Sequence, residues 1–593
     1  MLPPKRGKYN PKKASANKSK ALLKHKMQFQ KIDNPKSLNL FPFAICLLVS
    51  TLHWITLPQT RIQLGGIDAY LYTSLSLDYK ELLARFGTTY YASRVAAIFP
   101  MALFYKIFGL DHGFILLRIL VSALTGFAFF YWLKSYWAWR PSLFFSCFLI
   151  ISPWLSRELA WDYVTGFSVC YFICAISWLG AAKKGFLPVL AGIFLAAAVN
   201  TNFAAIPYIL SFLACLFFIK KYKKEDYIKT LLSISLGFLS FYVFAGLIMW
   251  KIYPGWGLFF EGKTLETTLL LLKGGFEKWH RPIWEYLNNG SYYIFTPFLV
   301  CSCLIGIFQM QKFKVLKKSL LLSGSFLICS CLILLYLHNI KKGVVFMHHS
   351  FVYALPATYM GAAQILDSGK FQDLNWKKPW PWILLVVPFI ILHSDFGRTN
   401  FFKYKDIITV LSLALLVIAP FLNVFRPGFI PACMFILSLT FLPLSALTHR
   451  PLLIGGDQKK EGDAIRIAQE VLKNIKNYAP HTKGKMAIWV PTPESEVIRS
   501  IASMNFWEYS MIYLKNSDGL PHVREDAEEK LKTIRYLVLA SEKGKGLIQE
   551  GLANLREASG KVWTPIYESS IQQESLIVYL AIVEKKNKRF SKE

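Results

Sequence analysis

Residues 95–109 read VAAIFPMALFYKIFG, and whether they cross a membrane decides the topology of all that follows. As a helix the stretch covers only about 22 Å, short of a hydrocarbon core about 30 Å thick. Pro100 and Lys106 weaken it further as a span. We read it as a juxtamembrane helix lying at the outer surface. A membrane is already implied by composition. The chain has 593 residues, 54% of them hydrophobic and 16% aromatic, too apolar for a soluble protein of that length.

Upstream, residues 40–58 form a first span. Residues 1–38 are polar and lysine-rich, with Asp33 as the one acid. They lack the apolar core and cleavage site of a signal peptide and read as a disordered basic cytoplasmic tail near anionic lipid. The chain then exits at Pro58, and 59–94 lies outside. Downstream, apolar runs at 113–133, 141–156, 163–181, 186–200, 203–219, 230–252, 291–310, 319–338, 349–366, 380–393, 407–425 and 428–447 bring the total to about 13 spans. Charge tests this register. KKYKK (220–224), QKFKVLKK (311–318), Lys183-Lys184 and Lys377-Lys378 all fall inside, as the positive-inside rule requires. Counting 95–109 as a span would put them outside. Lys341-Lys342 and Lys403/Lys405 run against the pattern.

The net charge of +32 therefore belongs largely to short loops and the tail. With no zinc-finger or RNA-binding signature, nucleic acid is discounted as a partner. The ten cysteines all lie in apolar segments, which implies buried small residues and no disulfide framework. From about 450 the composition changes. Strand-length runs MAIWVP (486–491), IRYLVLA (534–540) and SLIVYLAIV (575–583) alternate with helical patterns at 462–478 and 522–534. That alternation predicts a small α/β domain without a glycine-rich phosphate loop.

The fold class expected is a polytopic α-helical membrane protein with a small C-terminal α/β soluble domain. Its parts are a tail, 1–38, a transmembrane domain, 39–447, and an extracytoplasmic domain, 448–593. The expected place is the inner (plasma) membrane, multi-pass, with the N-terminus cytoplasmic.

The spans are almost bare of acids, and the acids gather in outer loops. Ion-coupled transporters place such groups near the midplane, so the pattern favours chemistry at the surface. One loop is GGIDAYLYTSLSLDYKELLARFGTTYYASR (65–94), with Asp68, Tyr70, Tyr90, Tyr91 and Arg94. The other is SRELAWD (156–162), with Arg157, Glu158 and Asp162. Asp68 is otherwise a solvated loop residue, Asp162 a helix N-cap, and Arg94 an interface anchor.

An outer first loop with Asp before Tyr, a juxtamembrane helix, a hairpin and then LAWDY resembles the GT-C superfamily of polyprenyl-phosphate-sugar glycosyltransferases. The layout is similar to the protein O-mannosyltransferase and lipid A aminoarabinose transferase families. That resemblance implies a catalytic acid at Asp68, a second acid at Asp162 and a soluble outer C-terminal domain. Two departures stand. YYASR replaces the Lys-Pro pair of the aminoarabinose transferases, which leaves the basic role to Arg94. Tyr163, not a second acid, follows Asp162.

Inverting transfer needs a base for the acceptor hydroxyl's proton, and Asp68 suits it. The leaving lipid phosphate needs a fixed guanidinium. Arg94 is the first candidate and Arg157 the second. Tyr90 and Arg94 are four apart and would share a face on a helix. Asp162 would orient the acceptor or, with Asp68, hold a divalent cation. Glu158 can pair with Arg157. In the loop 253–290, His280 and Arg281 between Trp279 and Trp284 suggest a substrate-covering element, or an interfacial aromatic belt. His348-His349 beside His338 read as polar lining ahead of metal ligands. The expected partners are a polyprenyl-phosphate-linked sugar and a lipid, glycan or protein acceptor. A lipid-linked-sugar flippase or other transporter, or a non-catalytic envelope assembly protein, are the alternatives.

Overall fold

The computed structural model describes residues 40–57, 67–86, 91–135, 137–160, 164–181, 186–220, 224–252, 295–310, 318–339, 352–368, 380–394, 403–425, 429–446, 458–478, 486–490, 511–516, 521–523, 534–542, 544–573 and 576–586, with Pro282, Glu285 and Leu531. The first four helices are α1 (Phe41–Thr56), α2 (Ile67–Phe86), α3 (Val95–Phe108) and α4 (Leu110–Lys134). Most of the stretch expected as an outer loop is thus helical. Leu71, Leu75 and Leu82 recur at helical spacing and are buried, which gives α2 an apolar side to pack. It is interrupted at Asp78, whose backbone is not helical (φ −145°, ψ 60°).

Gly109, at φ +78°, takes a conformation side chains rarely adopt and turns α3 back along α4. The two helices then touch closely, since a Cβ at Gly113 would lie 2.5 Å from the Phe104 carbonyl oxygen. Helix α4 also runs antiparallel to α1. Trp54 Nε1 donates to Ser122 Oγ at 3.0 Å, and the Phe43 and Phe127 rings meet at 5.4 Å. The chain between α1 and α4 therefore returns to the end of the bundle it left.

The expected span 141–156 is not one helix. Pro141 and Pro153 each occupy a first helical turn, a position proline favours, and they start α5 (Trp139–Ile150) and α6 (Pro153–Leu159). Ser152 between them is extended (ψ 125°). Then come α7 (Val164–Ala181), α8 (Leu187–Thr201), α9 (Ala205–Lys220), α10 (Lys224–Ile252), α11 (Thr296–Met310), α12 (Lys318–Asn339), α13 (Leu355–Ser368), α14 (Trp380–His393), α15 (Lys405–Phe425) and α16 (Phe429–Ala446). Among the described residues three helices are long and apolar enough to cross a membrane: Leu110–Lys134, Glu225–Ile252 and Leu322–Asn339. Helix α10 exposes Leu232, Leu236, Leu239, Val243, Phe244, Leu247 and Trp250. Such a face is costly in water, at about 25 cal/mol per Å², and suited to lipid. The fold is that of a polytopic helical membrane protein.

The C-terminal region holds α17 (Gln458–Tyr478), β1 (Met486–Val490), β2 (Met511–Asn516), β3 (Pro521–Val523), β4 (Tyr536–Ser541), α18 (Lys545–Ser559), β5 (Val562–Gln573) and β6 (Leu576–Lys586). The six-stranded sheet has the order β3-β2-β1-β4-β6-β5. Strands β2, β1 and β4 are parallel, and β3, β6 and β5 pair antiparallel. Alternate residues serve opposite faces. Val538, Ala540 and Ile582 pack with Ile467 and Val471 of α17. Leu537, Leu539 and Val583 pack with Ile548 and Leu555 of α18. Strands β1, β4 and β6 fall where the sequence predicted them. The helix expected over 522–534 is corrected at its start, because His522 and Val523 belong to β3.

This domain rests on the N-terminal helices. Leu77 of α2 and Leu110 of α4 pack against the α17 side of the sheet. Arg466 of α17 meets Asp111 at 3.3 Å.

Candidate functional site

Arg94 stands where the turn 91–93 enters α3. Its Nη1 donates to the Tyr72 hydroxyl, and its guanidinium lies 5.6 Å from the centre of the Tyr72 ring. The Tyr72 ring in turn meets the Tyr91 ring edge-on at 5.5 Å. The turn is held from several sides. Tyr79 Oη donates to the Ala92 carbonyl at 2.5 Å. Burial pushes the Tyr79 phenol well above its ordinary pKa, so it is a neutral donor. Asn200, at the end of α8, donates to Ser93 O and accepts the Ala96 N–H, both at 2.9 Å. Tyr171 of α7 donates to Ala96 O at 2.7 Å. Asn200 thus serves an amide at the start of α3 that its own helix leaves unsatisfied.

The second cluster sits on α6. Arg157 and Glu158 are buried, at 3% and 1% exposure, on a helix where the sequence suggested a loop. The break at Ser152 turns α6 inward and carries them with it. Arg118 of α4 is fully buried beside them. Its Nε donates to the Leu159 carbonyl at 2.9 Å, and its guanidinium lies 3.8 Å from the Phe114 ring centre and 5.2 Å from that of Phe167. Gly166 lets α7 start hard against α6, since a Cβ there would fall 2.2 Å from Glu158 O. The helices that precede and follow residues 161–163 in sequence are thereby packed together.

One apolar cluster joins the two halves. Tyr72 and Leu75 of α2, Tyr91, Val95, Phe114 of α4, and Val164 and Phe167 of α7 all belong to it. Asp68 lies one helical turn before Tyr72, and Val164 two residues after Asp162.

Of the residues singled out in sequence, Arg94, Tyr91, Arg157 and Glu158 are described in full. Asp68 and Tyr70 lie in the first turn of α2, with only their backbone described. Asp162, Tyr90, His280, Arg281 and His348-His349 lie outside the described residues. Tyr90 and Arg94 do not share a helix, because residues 91–93 form a turn and α3 starts at Val95. Among the described residues no group of three or more His, Cys, Asp or Glu could hold a metal. Sequence reasoning missed Tyr72, Asn200 and Arg118. The signal for Arg118 was present: a lone charge inside an apolar run marks a functional or strongly structural position.

No family model matches the chain, and no curated protein does. Solved structures do. The crystal structure of ArnT from Cupriavidus metallidurans bound to undecaprenyl phosphate aligns over 91% of this chain and 97% of its own, at 10% identity and a TM-score of 0.46. Its apo form aligns over 92% and 97%, at 11% and 0.46. The apo oligosaccharyltransferase of Archaeoglobus fulgidus aligns over 94% of this chain and 75% of its own, at 12% and 0.44.

Proposed function

We propose that this chain is an integral membrane glycosyltransferase that moves a sugar from a polyprenyl phosphate to an acceptor outside the cytoplasm, with inversion. The observation that carries this reading is the Arg94–Tyr72 pair, one turn along α2 from Asp68. It supplies an oriented cation on a helix that carries an acid one turn earlier, in the cluster that also reaches the residue after Tyr163.

Asp68 takes the proton of the acceptor hydroxyl as its oxygen attacks the anomeric carbon. The bond from that carbon to the phosphate oxygen breaks on the opposite face. Polyprenyl phosphate leaves, its charge held by the guanidinium of Arg94. Asp162 orients the acceptor or, with Asp68, holds a divalent cation. Tyr70, Tyr90, Tyr91, His280 and Arg281 line the path of the substrates. Arg118 fixes the C-terminal end of α6, three residues before Asp162 in sequence.

Transfer from a panel of radiolabelled polyprenyl-phosphate sugars, measured in proteoliposomes, tests the proposal. A general base contributes about 10²–10⁴-fold, so Asp68→Asn should lower turnover by that factor with donor binding nearly unchanged. Asp162→Asn should also slow transfer. An Asp68→Asn protein working at the parent rate sinks the assignment.

A further inference from the structure

Helices α1 and α14 end side by side on two histidines. His53, in the last turn of α1, is fully buried. His393 is the last residue of α14, and the two rings are 5.0 Å apart at 74°. His393 Nε2 lies 3.1 Å from the His53 carbonyl oxygen, and its Nδ1 lies 2.6 Å from Phe389 O. A carbonyl oxygen only accepts, so each nitrogen must carry a proton to make its bond. A neutral imidazole has one N–H and an imidazolium has two. Both bonds together therefore require the charged ring.

His53 takes the complementary state. Its Nε2 is 2.7 Å from Ser156 Oγ, whose own proton goes to Ser152 O at 2.8 Å. Nε2 is then the donor, and Nδ1 keeps its lone pair. Nδ1 is buried with no hydrogen-bond partner among the described residues. A second charge 5 Å from the first is disfavoured, so the pair holds one extra proton and not two.

We infer that His53 and His393 form a proton-operated latch. A proton on His393 ties the C-terminal ends of α14 and α1 together, and His53 transmits that placement through Ser156 to α6. Arg157 and Glu158 follow Ser156 directly on α6. Other titratable side chains on the surrounding elements include Arg118 of α4, bonded to Leu159 O, Cys46 of α1, Cys147 of α5, Tyr359 of α13 and Cys433 of α16. Tyr359 donates to Ser152 Oγ at 2.7 Å, which makes Ser152 and Ser156 one polar seam. When pH rises and His393 loses its second proton, one of its two bonds is lost. The helix ends then loosen, and α6 loses part of its support.

The latch stands without sugar transfer; only its effect on turnover rests on the function proposed above. The direct test is solid-state NMR of the protein in lipid, labelled with ¹⁵N-histidine, with His53→Gln and His393→Gln used to assign signals. At about pH 6, near the ordinary histidine range, His393 should show two protonated ring nitrogens, and His53 one, at Nε2. The melting temperature of the parent should fall by about 2–4 °C between about pH 5.5 and 8.5. His393→Gln should lack that fall. A neutral His393 at about pH 6, or a His393→Gln protein that keeps the parent's pH dependence, overturns the proposal. Should the NMR signature hold while no donor supports transfer, the latch survives and the enzymatic reading fails.

Discussion

At the residue scale, Arg94 and Tyr72 make a claim that can be separated from the reaction. If Arg94 grips the donor phosphate, the Tyr72 hydroxyl matters because it fixes the guanidinium. A charged hydrogen bond contributes about 1.5–3 kcal/mol and a neutral one about 0.5–1.5. Arg94→Ala should therefore weaken donor binding by about 10–100-fold, and Tyr72→Phe by about 3–10-fold. Titration of the donor into purified protein measures both. In the Arg94→Ala background the Tyr72 substitution should add nothing, the sign of a coupled pair. Fully additive losses would mean that the hydroxyl acts elsewhere. Arg94 was legible in the sequence as the lone cation closing a polar stretch. Tyr72 was not, because only the helix over 67–86 decides which of its tyrosines faces Arg94, and a polar stretch gave no reason to expect that helix.

At the element scale, hydropathy saw the apolar run at 141–156 but not its break. Length and composition are blind to an extended Ser152 between two helical starts. That break places Arg157 and Glu158 on a short buried helix and not in an exposed loop. The close packing of α8 and α10 is a second feature that apolar runs conceal. A Cβ at Gly192 would lie 2.1 Å from Ile234 O, and one at Gly237 would lie 1.9 Å from Val189 O. Backbone carbonyls cannot swing aside, so any side chain must push the helices apart. Small residues that let backbones meet are a common way for helices to associate in lipid. Gly237→Leu should destabilise the protein by about 1–3 kcal/mol, as overpacking does. Leu236→Val, one residue away on the exposed face, should be nearly neutral. Thermal unfolding in detergent compares the two. Equal effects would show that α8 and α10 part without cost.

At the scale of the whole molecule, the sheet domain and the N-terminal helices share one end of the bundle. Leu77, Leu110 and the Asp111–Arg466 pair make the junction. An exposed ion pair adds only about 0–1 kcal/mol, so the apolar contacts carry most of it. The antiparallel course of α1 and α4 puts the end of α1 on the same side. The junction links two expectations that the sequence could only state apart: residues 59–112 outside, and residues 448–593 outside. They must now hold or fail together. His112 and Ser570 are both exposed, and the ten native cysteines are buried or half-buried, so single engineered cysteines will report cleanly. With the basic loops inside, His112→Cys and Ser570→Cys should both react with an impermeant maleimide in intact cells. A cysteine in KKYKK, such as Lys223→Cys, should react only after lysis. The reverse pattern at all three would invert the membrane orientation yet leave the junction intact. Opposite results at His112→Cys and Ser570→Cys would break the junction itself, since no single fold can hold Asp111 against Arg466 across a bilayer.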